Sequence, residues 1–157
     1  MPVKTEDTRH LLRDLAIHSI HRDLRPVFRL NETQAVQRNG RDVVWDFEPR
    51  DGRDNLAQAV ILRLLTQRGE LSALGHVDYG SHVPELIGRE NNDTTRNQLK
   101  LFILEALKQE PRIDKVTQLT VAPSPGTRQT VDVWLEVQPK AFAEPVQIGP
   151  FSINLGA

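Results

Sequence analysis

Between residues 130 and 138 the chain alternates apolar and polar residues one by one, which is the most regular pattern in the sequence. Successive side chains of a strand point to opposite faces, so this period of two predicts a strand with one buried and one exposed face. The face predicted to be buried carries Val131, Val133, Leu135 and Val137. The opposite face carries Thr130, Asp132, Trp134 and Glu136.

Two further segments are expected to extend this strand into a sheet. Residues 117–122 place Leu119 and Val121 on one face, and the turn-forming residues 123–126 separate them from the first strand. The apolar tail over residues 146–155 is interrupted by Gly149-Pro150. We expect this tail to form a third strand that closes one edge of the sheet, with pairing to a neighbouring protein as the alternative.

Two segments space their apolar residues three and four positions apart, as an amphipathic helix requires. The first helix is expected to begin at an N-cap, Asp54 or Asn55, and Gly69 would supply the left-handed residue at its end. Its stripe is Leu56, Ala57, Val60, Ile61, Leu64 and Leu65. The second helix is expected to begin at Asp93 or Thr94. Its stripe is Leu99, Phe102, Ile103, Ala106 and Leu107. A short helical turn is expected between them, near residues 83–87.

The N-terminal region carries weaker signals. Residues 1–25 are expected to form a loosely helical arm, because Leu11, Leu12 and Leu15 make a short stripe. Asn39-Gly40 is a strong hairpin signal, since both central residues of a type I′ turn need positive φ. This hairpin would pair residues 35–38 with residues 41–47. We therefore expect a weakly structured arm over residues 1–34 and a single domain over residues 35–157.

These elements predict an α+β fold, in which two main helices pack on a small antiparallel sheet with open edges. The 157 residues suffice for a domain with a hydrophobic core, although the mean hydropathy of -0.44 is low. The net charge is -1, so we expect no binding to nucleic acid or to an anionic membrane surface. No run of about 18 apolar residues occurs, and we expect no membrane insertion. The charged N-terminus does not resemble an export signal.

Metal, cofactor and nucleophile chemistry find little support in the sequence. The chain has no cysteine, which excludes disulfides, thiolate catalysis and cysteine zinc sites. His18 and His21 could share a helix face, but no third ligand is placed, so we expect solvated histidines and no metal site. No glycine-rich nucleotide loop and no serine nucleophile motif is present, and we expect no cofactor.

The second helix runs into Glu110-Pro111-Arg112, where proline disfavours the helical conformation of the residue before it. One interpretation is a helix stop with a solvated ion pair. The other is a stiff exit that holds Glu110 and Arg112 in fixed directions. Arginine would then offer its planar guanidinium to a carboxylate of a partner protein.

Four short motifs resemble those of the sheath-initiator proteins, the baseplate wedge components of contractile tails. They are ILRLLTQRGE at residues 61–70, DYGS at 78–81, NNDTT at 91–95 and ALKQEPRI at 106–113. Their order and spacing are similar to the family pattern over residues 54–122. The sequence departs from it at Leu71, where the family often has arginine, and in a longer linker over residues 72–77. A second Glu-Pro-Arg, at residues 48–50, follows a predicted strand and is interpreted as coincidence.

The resemblance implies a structural protein without enzymatic activity, present in six copies at the top of the baseplate wedges. Its sheet would accept strands of sheath subunits and template the first sheath ring, while Glu110, Pro111 and Arg112 would face the core-bundle proteins of the wedge. The strand over residues 130–138 contains neither proline nor lysine, so we interpret it as an exposed edge. Its partner-binding residues would be Thr130, Asp132, Trp134 and Glu136. Trp134 would either anchor the interface or pack under the arm or the tail.

The resemblance also implies assembly in the bacterial cytoplasm into a phage tail or an injection particle. Two alternatives remain open. One is a baseplate-associated murein hydrolase, because members of the family have been labelled lysozymes. Such an enzyme needs two carboxylates about 5–9.5 Å apart, and the candidates are Glu70, Asp78 and Glu110. The other alternative is a small adaptor that binds peptide strands outside any tail.

Overall fold

The computed structural model describes residues 13–22, 25–36, 40, 43–141 and 143–156. The chain divides into two compact units, Met1–Gln58 and Ala59–Ala157. The boundary falls within the first helix, α1 (Gly52–Leu65). In the described part of the chain, neither main helix combines the length and apolarity that crossing a bilayer requires.

In the residues that the structure describes, the first unit contains six short strands that pair into three antiparallel ribbons. The strands are β1 (Arg13–Leu15), β2 (Ile17–Arg22), β3 (Arg25–Leu30), β4 (Glu32–Val36), β5 (Val43–Phe47) and β6 (Pro49–Asp51). The ribbons are β1 with β6, β2 with β3, and β4 with β5. Each is only two strands wide, so its own ladder gives it little stability.

Three residues that lie between consecutive strands close a ring of backbone hydrogen bonds, which we call the hub. Ala16 donates to Glu48 (2.7 Å), Glu48 to Asn31 (2.8 Å) and Asn31 to Ala16 (3.0 Å). The side chain of Gln58, on α1, spans the break at Ala16, because it accepts from the Ile17 amide and donates to the Leu15 carbonyl. The hub therefore joins all three ribbons.

Two expectations for this region meet different outcomes. The prediction of a helical arm is wrong over the described residues, because Leu15 lies in β1 and residues 17–22 form β2. Leu11 and Leu12 lie outside the described residues. Pairing with β6, far along the chain, overrides the local helical spacing. The hairpin is confirmed, because β4 pairs with β5 and Gly40 has φ of 69°. The arm boundary at residue 34 stays a prediction.

Both predicted helices are present in the structure. α1 starts at Gly52, earlier than the predicted N-cap, and Gly69 has φ of 81° but lies beyond the helix end at Leu65. The second helix, α2 (Asp93–Lys108), starts where the sequence predicts, because the Asn92 side chain caps it by accepting from the Thr95 amide at 2.9 Å. Short 3₁₀ turns cover Ser72–Leu74 and Val83–Leu86.

Over its described residues, the second unit carries one antiparallel sheet of three strands. They are β7 (Ile113–Pro123), β8 (Thr130–Pro139) and β9 (Val146–Asn154), in the order β7-β8-β9. The face predicted to be buried is confirmed: Val131, Val133 and Val137 are fully buried, and Leu135 nearly so. α2 packs against β7. The α+β fold with two helices and small antiparallel sheets is therefore confirmed.

The sheet also corrects one expectation and confirms another. The strand over residues 130–138 is not an edge: β8 lies in the centre and pairs with β7 on one side and β9 on the other. Its backbone is already engaged on both sides, so it cannot accept a partner strand. The tail over residues 146–155 does form a third strand within the chain, as favoured. The open edges of this sheet are those of β7 and β9.

Candidate partner-binding site

The joint between α2 and β7 is organised around a buried carboxylate. Glu110 follows the last turn of α2, and its side chain is only 5% exposed. Its Oε1 accepts a hydrogen bond from Arg112 Nε at 2.6 Å. Its Oε2 lies 3.4 Å from Nη2 of Arg63, an α1 residue whose side chain is 9% exposed. One carboxylate therefore joins the two helices and the entry of the sheet.

The charge state of this cluster follows from its neighbours. Burial alone would raise the pKa of Glu110, because it disfavours the charged form. The hydrogen bond and charge of Arg112, together with the charge of Arg63, outweigh burial and lower the pKa below its ordinary value. Glu110 is therefore an anion held between two cations at neutral pH.

A third segment reaches the cluster through Tyr79. The Arg63 guanidinium carbon lies 4.5 Å from the centre of the Tyr79 ring, a cation–π geometry. The next residue, Gly80, has φ of 105°, and a Cβ there would stand 2.7 Å from the carbonyl oxygens of Thr66 and Gln67. Only glycine fits this approach without strain, so the loop is seated closely on the segment that follows α1.

Ser81 fixes the other end of the same loop. Its hydroxyl donates to the Leu64 carbonyl at 2.7 Å and accepts from the Val83 amide at 3.1 Å. Its backbone amide donates to the Thr66 carbonyl at 2.9 Å. The loop over residues 78–81 is therefore held to the end of α1 by hydrogen bonds at a buried serine.

The structure thus gives a physical role to each of the four sequence motifs. The first supplies Arg63, the second supplies Tyr79, and the last supplies Glu110 and Arg112. The motif over residues 91–95 instead caps α2 and reaches the sheet, because the Asn91 side chain donates to the Thr130 carbonyl at 3.3 Å. Three motifs that are distant in sequence converge on one charge cluster.

The burial of Glu110 corrects the expectation of a solvated or partner-facing carboxylate. Arg112 also differs from the expected projecting fork, because its side chain is 15% exposed and its Nε is bound to Glu110. Pro111 is exposed, and α2 ends before it, as predicted. Sequence reasoning missed Arg63, although an arginine within the apolar run of α1 was the available signal.

A cleft of about 650 Å³ lies beside the cluster. Its lining mixes charged, polar and apolar groups, and it includes Arg63, Arg68, Val77, Asp78, Tyr79 and Gln109. Arg68 bonds to Glu105 at 3.0 Å and lies 3.3 Å from Asp78, so two carboxylates balance its charge. The cleft exposes the Arg63 and Tyr79 side of the cluster to solvent.

The other predicted residues form a separate group on the solvent face of β8. Trp134 is 40% exposed and lines a groove of about 490 Å³ with Glu136, Gln118 and Gln147. Asp132 accepts hydrogen bonds from Ser124 at 2.5 Å and Ser152 at 2.7 Å, and these bonds lower its pKa. Thr130 is half-buried at the start of the strand. The alternating face is as predicted, although the strand is central.

The geometry gives little support to catalysis or metal binding. Glu110 is held as an anion between arginines, which does not suit a group that must donate a proton to a glycosidic oxygen. Glu70 accepts from the Gln67 amide at 3.2 Å, and Asp78 is exposed beside Arg68. Within the described ranges, no three histidine or carboxylate side chains are grouped to hold a metal ion. His18 and His21 do not share a helix face, because both lie in β2.

The chain is similar to a protein family and to a solved structure. The family model of the contractile injection system sheath initiator matches residues 27–138, which are 112 of the 157 residues. A crystal structure of a proposed tail lysozyme from Geobacter sulfurreducens is similar, with a TM-score of 0.54. It is 20% identical, and the match covers 64% of this chain and 88% of that chain. At this identity the likeness concerns the fold alone.

No curated protein matches the chain. The matched residues include all four sequence motifs and β7. They therefore include the residues of the charge cluster, Arg63, Tyr79, Glu110 and Arg112. The family is a structural component of contractile injection systems. This chain belongs to the sheath-initiator family of contractile injection systems.

Proposed function

We propose that this protein joins the baseplate wedge to the sheath and templates the first sheath ring by accepting strands of sheath subunits. The observation that carries the proposal is the three-stranded sheet with open outer edges, attached to a helix–strand joint that a buried charge cluster fixes. An open edge presents unpaired backbone groups, which bind an extended segment of another chain.

Two features support a rigid template. One face of the sheet is covered, since Val131, Val133, Leu135 and Val137 of β8 are buried and α2 packs on β7. The β7 entry is tied to both helices through Glu110. A partner strand would therefore meet an edge whose direction is already set, and binding would not have to order it.

The joint itself is the proposed wedge contact. Pro111 is exposed, and Arg112 keeps part of its side chain at the surface while Glu110 holds its Nε. The core-bundle proteins of the wedge would bind here, and Thr130, Asp132, Trp134 and Glu136 would form a second contact on the solvent face of the sheet. We further propose that six copies are present in each particle and that assembly takes place in the bacterial cytoplasm. The particle would be a phage tail or an injection machine.

The test replaces Arg112 with alanine in the assembling system. Arg112→Ala is expected to leave a folded protein that no longer supports baseplate-attached sheaths, measured by electron microscopy and by co-purification with wedge and sheath proteins. Arg128→Ala, which removes an exposed arginine in the β7–β8 loop, is the matched control and is expected to assemble normally. Sheaths of normal number from the Arg112 variant would contradict the wedge contact.

A further inference from the structure

The two open edges of the sheet differ in how well they can pair with another chain. The edge of β9 is interrupted at Gly149-Pro150, where the register against β8 shifts between Val133 and Leu135. Pro150 has no N–H to donate. Gly149 runs so close to β8 that a Cβ would stand 2.6 Å from the Val133 carbonyl oxygen. The ladder that β9 can offer is therefore broken near its middle.

The edge of β7 has no proline between its first residue and Pro123. Its two register shifts fall early, between Ile113 and Lys115 and between Val116 and Gln118. The following residues pair with β8 without interruption as far as Pro123. This regular stretch, residues 118–122, is the longest undisturbed open edge in the described part of the sheet.

The hydrogen bonds show which backbone groups face outward on β7. The Ser124 amide donates to the Thr130 carbonyl, so these two residues form a hydrogen-bonded pair at the end of the hairpin. Such pairs alternate along an antiparallel ladder. The residues that bond to β8 are therefore the even-numbered ones, and Leu119 and Val121 turn their N–H and C=O groups toward the open edge.

The same alternation applies to β9. The Leu155 amide donates to the Gln129 carbonyl, so the odd-numbered residue Ile153 bonds to β8 and Ser152 faces outward. Beyond the register shift, Ile148 pairs with Leu135 and bonds to β8. The backbone N–H and C=O groups of the neighbouring Gln147 therefore point away from β8, toward the open edge. The amides of Gln147 and Ser152 therefore report on the β9 edge, as those of Leu119 and Val121 report on the β7 edge.

We infer that β7, over residues 118–122, is the edge that takes up the partner strand, and that β9 is closed to this use. This inference rests on the proposed function and specifies its site. The partner is an extended segment of the sheath subunit with alternating apolar and polar residues. Its apolar side chains lie beside Leu119 and Val121, and its polar ones lie beside Gln118 and Thr120.

The chemistry of this edge also sets how the partner binds. Residues 118–122 are Gln-Leu-Thr-Val-Ala and carry no charge. The binding is therefore made by backbone hydrogen bonds and apolar contact, and its affinity is insensitive to salt.

Amide hydrogen exchange of the full chain, with and without the purified sheath protein of the same system, tests the edge directly. Exchange at Leu119 and Val121 is expected to slow at least tenfold on binding, while Gln147 and Ser152 stay unchanged. Slowing at Gln147 and Ser152 instead would overturn the choice of β7 and leave the proposed function standing. Binding without slowing at either edge would overturn strand addition itself. Slowing at Leu119 in the protein alone, rising with its concentration, would make a second copy the occupant.

The cysteine-free chain allows a second readout with matched variants. Gln118→Cys and Gln147→Cys each replace an exposed glutamine on the solvent face of an edge strand. With single cysteines introduced along the sheath segment, disulfide cross-links are expected from position 118 and not from position 147. Cross-links from position 147 alone would refute the inference.

Discussion

Replacing Glu110 with glutamine removes the charge at the centre of the joint and keeps its shape. The carboxylate is 5% exposed, and Arg63, 9% exposed, faces it from α1. Breaking a buried ion pair by removing one partner lowers stability by about 3–5 kcal/mol, because the remaining charge stays buried and uncompensated. Arg112 is more exposed and can be solvated, so the lower half of this range is expected for the variant.

The magnitude is supported by the surroundings of Arg63. Its Nε has no hydrogen-bond partner among the described residues, so loss of the Glu110 charge leaves the guanidinium supported mainly by the Tyr79 ring. A change of about 3 kcal/mol corresponds to roughly 6–12 °C in Tm for a chain of this size. Glu105→Gln, which removes an exposed partner of Arg68, is the control and should change stability by about 1 kcal/mol or less.

Urea unfolding followed by tryptophan fluorescence measures the effect. Trp45 lies in the first unit and Trp134 in the second, so a Trp45→Phe background makes the signal report on the sheet that the joint supports. A loss below about 1 kcal/mol for Glu110→Gln, similar to that of the control, would refute a buried cluster at this joint.

The pH dependence gives an independent check. The folded-state pKa of Glu110 is lowered from 4.5, so its ionised form contributes stability that is fully present above about pH 4.5. That contribution is lost as the pH falls through the lowered folded-state value. The stability difference between wild type and Glu110→Gln should therefore be constant near neutrality and narrow in acid. A difference that stays constant down to pH 2 would contradict this assignment.

Three further changes test other parts of the fold. Val133→Asp places a charge at a fully buried position of the central strand and is expected to abolish folding; a soluble variant that melts cooperatively would contradict the burial of that face. Gly80→Ala should lower the free energy of unfolding by about 1–3 kcal/mol in denaturant titrations, because its Cβ would meet backbone oxygens at 2.7 Å. Asn92→Ala removes the cap of α2 and should lower the free energy of unfolding by about 1 kcal/mol in the same titrations, whereas Asn97→Ala within α2 should not lower it, because alanine favours a helix more than asparagine does.

The sequence was informative wherever one period governs a whole element. Strict alternation predicted both faces of β8, and helical spacing with an Asn-Asp start predicted α2 to within a residue. These elements are specified by neighbours in sequence. The same local information cannot reveal which strand is central, because that depends on where the two flanking strands pair.

The misassigned edge illustrates this limit. Absence of lysine and proline from residues 130–138 was interpreted as an unprotected edge, but a central strand needs no such protection and shows the same composition. The helical arm failed for a related reason, since β1 and β2 exist through pairing with β6 and β3. The charge cluster could not be predicted from the sequence either. Arg63 and Glu110 are 47 positions apart, and no local pattern identifies them as partners.

The hub has a consequence for how the first unit comes apart. Ala16, Asn31 and Glu48 each belong to the chain segments of two ribbons, so rupture of any one of the three bonds loosens two ribbons at once. Each ribbon is only two strands wide, and a ladder of that width is marginal on its own. The three ribbons should consequently melt in one event, as a single cooperative subdomain with a common opening rate.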